Sequence, residues 1–319
     1  MKILYVPSMI VPSLGDGDRA RIVEAAGPGA RLVEARDVEA QRTEIADADV
    51  LFGRVPPEVF GRARRLRYYH HTGAGVDAIL TPELVESEVI LASEKGQVGI
   101  HLAEHAFALL LGLTRGVHTA LRRMDWADRE PIRREQRELY DETMGIVGFG
   151  GTGREVARRA RGFGMHVLAV DIEAVPPEPG VTLWPAERLF DLLERSDVVV
   201  IGLPLTKATR HLFTRDLFRR MRRRAILINV TRGEIVYGED LLAALDEGLI
   251  WGAGLDVTDP EPLPPGHRLW THPRVIVTPH TAGGSPRRAG RAIATFVENL
   301  RRLRAGEPLL ALIDKQKGY

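Results

Sequence analysis

Cysteine is absent from the 319 residues, which excludes thiol catalysis, disulfides and thiolate-ligated zinc. Lysine is scarce: Lys2, Lys95, Lys207, Lys315 and Lys317 are the only five among 44 basic residues. That arginine bias suggests a GC-rich genome or a thermophilic source and specifies no chemistry. Excess charge is missing too, since a net +1 exerts no global pull on nucleic acid. The one dense basic cluster, Arg219, Arg220, Arg222, Arg223 and Arg224, reads as cations at a helix end, where the dipole favours them without a partner. No run of about 20 apolar residues exists to span a bilayer, and Met1-Lys2-Ile3-Leu4-Tyr5-Val6 reads as a first strand, not a signal peptide. The expectation is a cytoplasmic protein with neither membrane nor nucleic-acid partner.

What is present suits a two-domain globular protein: 44% hydrophobic and 27% charged residues, over a length that supports ample cores. The first 95 residues alternate apolar strands (Ile3–Val6, Arg31–Glu34, Val50–Gly53, Arg67–His71, Val89–Ala92) with short helices, among them Ala20–Ala26 and Pro57–Ala63. Such alternation means a parallel sheet covered by helices. One long apolar helix is expected from about Val98 to Met124, then a polar stretch to Asp141. A second series follows, with six strands at Met144–Phe149, His166–Val170, Val198–Ile201, Ala225–Val230, Trp251–Leu255 and Val275–Thr278. The stretch Pro286–Leu312 is helical in character and cannot extend that second sheet. It is expected to return to the first domain.

Between the two series lies Gly-Ile-Val-Gly-Phe-Gly-Gly-Thr-Gly, residues 145–153, in which Gly148, Gly150 and Gly153 form G-x-G-x-x-G. Among 32 glycines the pattern alone is weak, but it joins an apolar strand to a helical stretch, and Asp171 ends the next strand 18 positions after Gly153. That is the fingerprint of a dinucleotide site. The first glycine permits the tight turn, the second lets the pyrophosphate near the backbone, and the third lets helix and strand pack. The phosphates would sit at the helix N-terminus beside Gly150, Gly151, Thr152 and Gly153, where free N–H groups and the dipole attract anions. Asp171 would bond the ribose hydroxyls and repel a 2′-phosphate, which favours NAD over NADP, with Arg154 and Arg158 pulling the other way.

Ligands of an open α/β sheet lie beyond the carboxyl ends of its strands, and three of those ends carry reactive groups. Thr231-Arg232-Gly233-Glu234 follows one strand, Asp256 to Leu263 the next, and Pro279-His280-Thr281-Ala282-Gly283 the last. A ketone accepting hydride also needs a proton, which a histidine can supply. An arginine can hold a carboxylate with paired bonds, and a carboxylate can fix an imidazole's tautomer. Singly, Arg232 could cap a strand, Glu261 could be solvated and His280 could be structural. Jointly placed, they point to reduction of a 2-oxo acid.

With those residues in view, the chain resembles the D-isomer-specific 2-hydroxyacid dehydrogenases, in the manner of phosphoglycerate dehydrogenases and glyoxylate/hydroxypyruvate reductases. The likeness runs from Gly53-Arg54 through His70–Asp77 and Leu102–His105 to Thr278–Gly283. Its most specific stretches are Gly145–Gly153, Asn229–Glu234, Gly254–Val257 with Pro260–Leu263, and Thr278-Pro279-His280. The resemblance implies that Arg232 binds substrate, that Glu261 pairs with His280, and that His280 is the acid/base. Asp256 matches a residue at the nicotinamide end, with Val230, Thr231 and Gly283 nearby, and Leu203-Pro204 begins a loop lining the adenine side. His71 to Asp77 matches the loop whose backbone N–H groups (Gly73, Ala74, Gly75) hold the substrate carboxylate, and Arg54 matches a second basic contact. The implied architecture is two Rossmann-like or flavodoxin-like parallel-sheet domains with a cleft between them: residues 1–97 and 286–319 for substrate, 98–285 for NAD. The helix from Val98 and the arm after it resemble a homodimer contact.

Departures from the family pattern are Thr152 for an aliphatic residue, Arg274 for asparagine and Thr281 for isoleucine, none of which removes a catalytic atom. Formate oxidation is disfavoured by Glu261, where that branch has glutamine, and phosphite oxidation by the lack of lysine in His71–Asp77. With Tyr319 as the last residue, no regulatory domain of the kind some phosphoglycerate dehydrogenases carry is expected. The alternative reading is an NAD(H)-binding sensor resembling the family's corepressors. A rival motif, His101-Leu102-Ala103-Glu104-His105, matches an inverted zinc-peptidase string. It falls on the long apolar helix, so no metal is expected.

Overall fold

The computed structural model describes residues 1–319, which divide into two compact units: Met1–Val98 with Ser285–Tyr319, and Gly99–Gly284. In the first, β1 (Lys2–Tyr5), β2 (Arg31–Glu34), β3 (Val50–Gly53), β4 (Tyr68–His71) and β5 (Ile90–Ala92) form a wholly parallel sheet ordered β2-β1-β3-β4-β5. The inner strands β1, β3 and β4 are buried at every position, because helices cover both faces as a parallel sheet requires. Alternate residues therefore enter two cores: Ile3, Tyr5 and Phe52 the one, Leu4, Leu51 and Tyr69 the other.

The first of those cores is completed by the Arg288–Ala305 helix, whose Phe296 stacks on Phe52 with ring centroids 4.2 Å apart. This helix stops seven residues short of the expected Leu312, because Gly306 takes the left-handed conformation (φ 70°) that only glycine adopts without cost. The chain beyond it turns back along β5. Ile313 N–H donates to Leu91 O (2.9 Å), Ser93 N–H donates to Ala311 O (3.1 Å), and Ala92 and Leu312 form an antiparallel bridge. The open edge of the sheet is thereby covered.

The second unit holds β6 (Thr143–Val147), β7 (His166–Asp171), β8 (Val181–Pro185), β9 (Val198–Ile201), β10 (Ile226–Asn229), β11 (Gly252–Leu255) and β12 (Val275–Val277), all parallel, in the order β12-β11-β10-β9-β6-β7-β8. Seven strands stand where six were expected. The seventh, β8, is an edge strand of half-exposed residues, so it lacks the apolar run that marks a buried strand. The single long helix expected from Val98 is two helices, Gly99–Thr114 and Val117–Arg123, broken at Gly116 (φ 67°), whose α-carbon lies against Ile132. After the break, Leu121, Met124 and Trp126 are exposed. No helix is long and apolar enough to cross a membrane.

The sheet's strand order reverses between β6 and β9. Loops after those two strands leave in opposite directions, and a crevice opens beyond their carboxyl ends. Here the loops nearly touch: a Cβ on Gly202 would lie 2.5 Å from Gly148 O, and one on Gly148 would lie 2.8 Å from Gly202 C.

Candidate active site

Each glycine of the turn after β6 meets a distinct demand. Gly148 has φ 95° and makes the tight turn. A Cβ on Gly153 would overlap Gly148 O, so the Gly151–Gly162 helix can approach the strand only without one. Gly150 has nothing within 4 Å of where a Cβ would be, and this open α-carbon faces a helix N-terminus whose N–H groups attract anions. At the end of β7, Asp171 accepts hydrogen bonds from Phe149 N–H (2.6 Å) and Glu173 N–H (2.9 Å), which fixes its carboxylate beside the turn. These residues fit a dinucleotide.

The two arginines near enough in sequence to welcome a 2′-phosphate are engaged by carboxylates. Arg154 Nη1 lies 3.1 Å from Glu178 Oε2, and its guanidinium sits 4.8 Å from the centre of the Phe149 ring. Arg158 pairs with Glu155 at 2.5 Å and reaches Glu178 at 3.9 Å. After β9, Leu203 packs over Gly148, and Pro204 O accepts from Thr209 Oγ1 (2.7 Å).

The loops after β10, β11 and β12 bring the candidate catalytic residues forward. Buried Asn229 shapes the first: its Oδ1 accepts from Thr231 N–H (3.1 Å) and its Nδ2 donates to Arg232 O (2.8 Å). Arg232 in turn donates from Nη1 to Thr231 O (2.8 Å). Gly233 lies so close to Thr258 that any side chain would overlap its carbonyl, so the Arg232 loop and the loop carrying Glu261 are locked together. Val230 is buried below them.

His280 and Glu261 meet. Nδ1 of His280 lies 2.5 Å from Glu261 Oε1, with both side chains partly exposed. A carboxylate only accepts, so Nδ1 carries the proton and Nε2 is left to exchange one. His280 has φ 52°, a left-handed conformation that costs a non-glycine residue about 1–3 kcal/mol and persists only where its surroundings impose it. Asp256 imposes it. Asp256 O accepts from His280 N–H (2.8 Å), Oδ1 from Thr281 N–H (2.8 Å) and Oδ2 from Ala282 N–H (2.9 Å). Gly283 follows directly.

Sequence reasoning gave two side chains here no role. Thr278 donates from Oγ1 to Asp256 Oδ1 (2.6 Å), and His211 lies 2.7 Å from Asp259. Their partners are 22 and 48 residues away, beyond any local signal. His105, half of the zinc-like string, has Nε2 2.8 Å from Thr278 Oγ1 and 3.3 Å from Asp256 Oδ1.

In the other unit, Arg54 follows β3 and is exposed, while His71 ends β4 and is buried. Burial pushes the His71 imidazole down to about 4, helped by the Arg54 charge. The loop after it is held from β5: Glu94 N–H donates to Gly73 O (3.2 Å), and Ser93 Oγ donates to Ala74 O (3.3 Å). Gly73 lies against the His71 ring. Glu94 is buried, and burial holds its carboxyl above the usual range although Arg288 donates to it at 2.7 Å.

Comparison with known proteins accords with this geometry. Residues 107–282 match the family described as "D-isomer specific 2-hydroxyacid dehydrogenase, NAD binding domain". A glyoxylate reductase of Korarchaeum cryptofilum is 36% identical over 86% of this chain and 85% of its own. A D-3-phosphoglycerate dehydrogenase of Methanocaldococcus jannaschii is 34% identical over 83% of this chain and 51% of its own. Among solved structures, an NADPH-dependent glyoxylate/hydroxypyruvate reductase from Sinorhizobium meliloti, in complex with NADP and sulfate, superposes with a TM-score of 0.82 at 30% identity, covering all of both chains. The glycine turn, the strand-end residues and these relatives agree: the chain belongs to the D-isomer specific 2-hydroxyacid dehydrogenase family, whose members are NAD(P)-dependent oxidoreductases.

Proposed function

We propose that this enzyme interconverts a small D-2-hydroxy acid and its 2-oxo acid, with NAD as coenzyme and His280 as the acid/base. The 2.5 Å contact between His280 Nδ1 and Glu261 Oε1 carries the reading, because it orients a proton donor at the carboxyl edge of the nucleotide-binding sheet. Hydride exchange at the substrate's C2 is the chemistry that the bound coenzyme supplies. In reduction, His280 delivers a proton from Nε2 to the carbonyl oxygen, and Glu261 stabilises the ring while it carries both protons. Arg232 polarises that carbonyl and holds the carboxylate. In the first unit, the family resemblance gives a carboxylate-binding role to Arg54 and to the N–H groups of Gly73, Ala74 and Gly75.

NAD is favoured over NADP by Asp171, and by the engagement of Arg154 and Arg158 with Glu155 and Glu178. The same reading makes the protein a homodimer through the Gly99–Thr114 helix and the segment after it, where Leu121, Met124 and Trp126 are exposed; sedimentation as a monomer would refute that part. Turnover is tested on a panel of glyoxylate, hydroxypyruvate, 3-phosphohydroxypyruvate and longer 2-oxo acids, with NADH and with NADPH. Oxidation of NADH by at least one acid is expected. Tight NADH binding with no turnover on any would overturn the proposal in favour of a sensor.

A further inference from the structure

The string His101-Leu102-Ala103-Glu104-His105 lies on the Gly99–Thr114 helix, and the chemistry assigned above leaves it unused. Helical spacing puts its two histidines on one face, and His105 reaches the loop after β12. Its Nε2 lies 2.8 Å from Thr278 Oγ1 and 3.3 Å from Asp256 Oδ1. We propose that His105 is a positioning residue for His280, acting through Thr278 and Asp256. The proposal rests on the acid/base role of His280.

The direction of each bond follows from the donors available. Thr278 has one hydroxyl hydrogen, and its Oγ1 stands 2.6 Å from Asp256 Oδ1, which can only accept. That hydrogen is committed, so toward His105 the hydroxyl must accept. His105 therefore carries its proton on Nε2 and holds the Thr278 hydroxyl turned to the carboxylate.

Asp256 is almost wholly buried and organises the loop ahead of it. Thr278 bonds it by side chain, His280 by N–H to its carbonyl, and Thr281 and Ala282 by N–H to its carboxylate. In the run 278–282 only Pro279, which has no N–H, makes no such bond. His280 sits at the centre of this run in its strained φ 52° conformation. A clamp that holds strain is only as firm as the carboxylate at its root, and His105 supplies the outermost donor fixing that carboxylate. Its counterpart on the other arm is His211, bonded to Asp259 two residues before Glu261.

The test compares variants that remove the donor with variants that keep it. With the fastest 2-oxo acid of the panel, His105→Leu and Thr278→Val should each lower kcat about tenfold, because misplacement of a catalytic group by a fraction of an ångström is felt in the rate. KM for the acid should stay within about twofold, since the carboxylate contacts are untouched. His105→Gln, which can place an amide N–H near the position of Nε2, and Thr278→Ser should recover most of the loss. The double variant His105→Leu with Thr278→Val should be no worse than either single one, because both cut one chain of bonds. Wild-type kcat in His105→Leu or Thr278→Val, equal losses in His105→Gln and His105→Leu, or multiplicative losses in the double variant would each overturn the proposal. Should His105→Leu not fold, the pair Thr278→Val and Thr278→Ser decides it. His280→Ala run beside them separates the two claims: if it keeps activity, the acid/base reading itself falls.

Discussion

At the end of β4, His70 and His71 are sealed inside their unit; in the other unit, His105, His211 and His280 stand beside carboxylates of the segment that follows β11. His70 Nδ1 lies 2.6 Å from the Tyr68 hydroxyl, which accepts from Asn299 Nδ2 (2.9 Å). Burial, with His71 adjacent, pushes His70 down to about 3. His71 is pushed to about 4. Neither has a carboxylate hydrogen-bond partner, and both are neutral wherever the protein works near neutrality. In the second unit His280 faces Glu261, His211 faces Asp259, and His105 faces Asp256. Parallel sheets of one design thus use the same residue type in two ways. A strand-end position alone does not orient a histidine's proton; a carboxylate neighbour does.

The most severe way to break this comparison is to remove a histidine from each setting. His280→Ala is expected to lower kcat by about 10²–10⁴, the range for loss of a positioned acid/base, with NADH affinity little changed by fluorescence titration. His70→Asn offers the Tyr68 hydroxyl both a donor and an acceptor and should leave kcat close to wild type. A folded His70→Asn enzyme as slow as His280→Ala would erase the distinction.

Acid sharpens it next. Folded values of about 3 and about 4 for His70 and His71 lie below the unfolded value of about 6.5. Their contribution to stability is therefore complete above pH 6.5 and is lost as pH falls toward 4, because the unfolded chain binds protons that the folded one refuses. With both groups involved, the loss approaches about 3 kcal/mol per pH unit. All four tryptophans, Trp126, Trp184, Trp251 and Trp270, belong to Gly99–Gly284. Far-ultraviolet ellipticity should accordingly begin to fall at a higher pH than tryptophan emission shifts. Emission changing first would contradict the assignment of acid lability to the histidine-buried unit.

The mildest effect concerns the coenzyme. Asp171→Asn should raise KM for NADH about tenfold, the worth of one charge-assisted hydrogen bond, and narrow the gap to NADPH. An unchanged ratio of kcat/KM for the two coenzymes would remove Asp171 from selectivity.

Much of the fold was legible because parallel strands covered on both faces are short apolar runs. Arg31–Glu34, Val50–Gly53 and Val198–Ile201 match β2, β3 and β9 residue for residue. What escaped was what lacks that signature. Val181–Pro185 is an edge strand with half-exposed residues, and Gly116 broke a helix whose apolar pattern continued past it. The site shows the same divide. Arg232, Glu261 and His280 could be named because each follows a strand end, and Glu261 and His280 lie only 19 residues apart. His105 could not be given its partner, for Thr278 is 173 residues away, and a helical histidine carries no sign of which loop the fold will bring to it.

The helix at Arg288–Ala305 has a consequence for how the molecule is made. Phe52 and Tyr68 share their core with Ile293, Phe296 and Leu300, so strands synthesised early wait for residues emerging after all of Gly99–Gly284 has left the ribosome. Domains ordinarily mature in the order of synthesis. Here the contiguous second unit can close first, and the unit that begins the chain is the last to be finished.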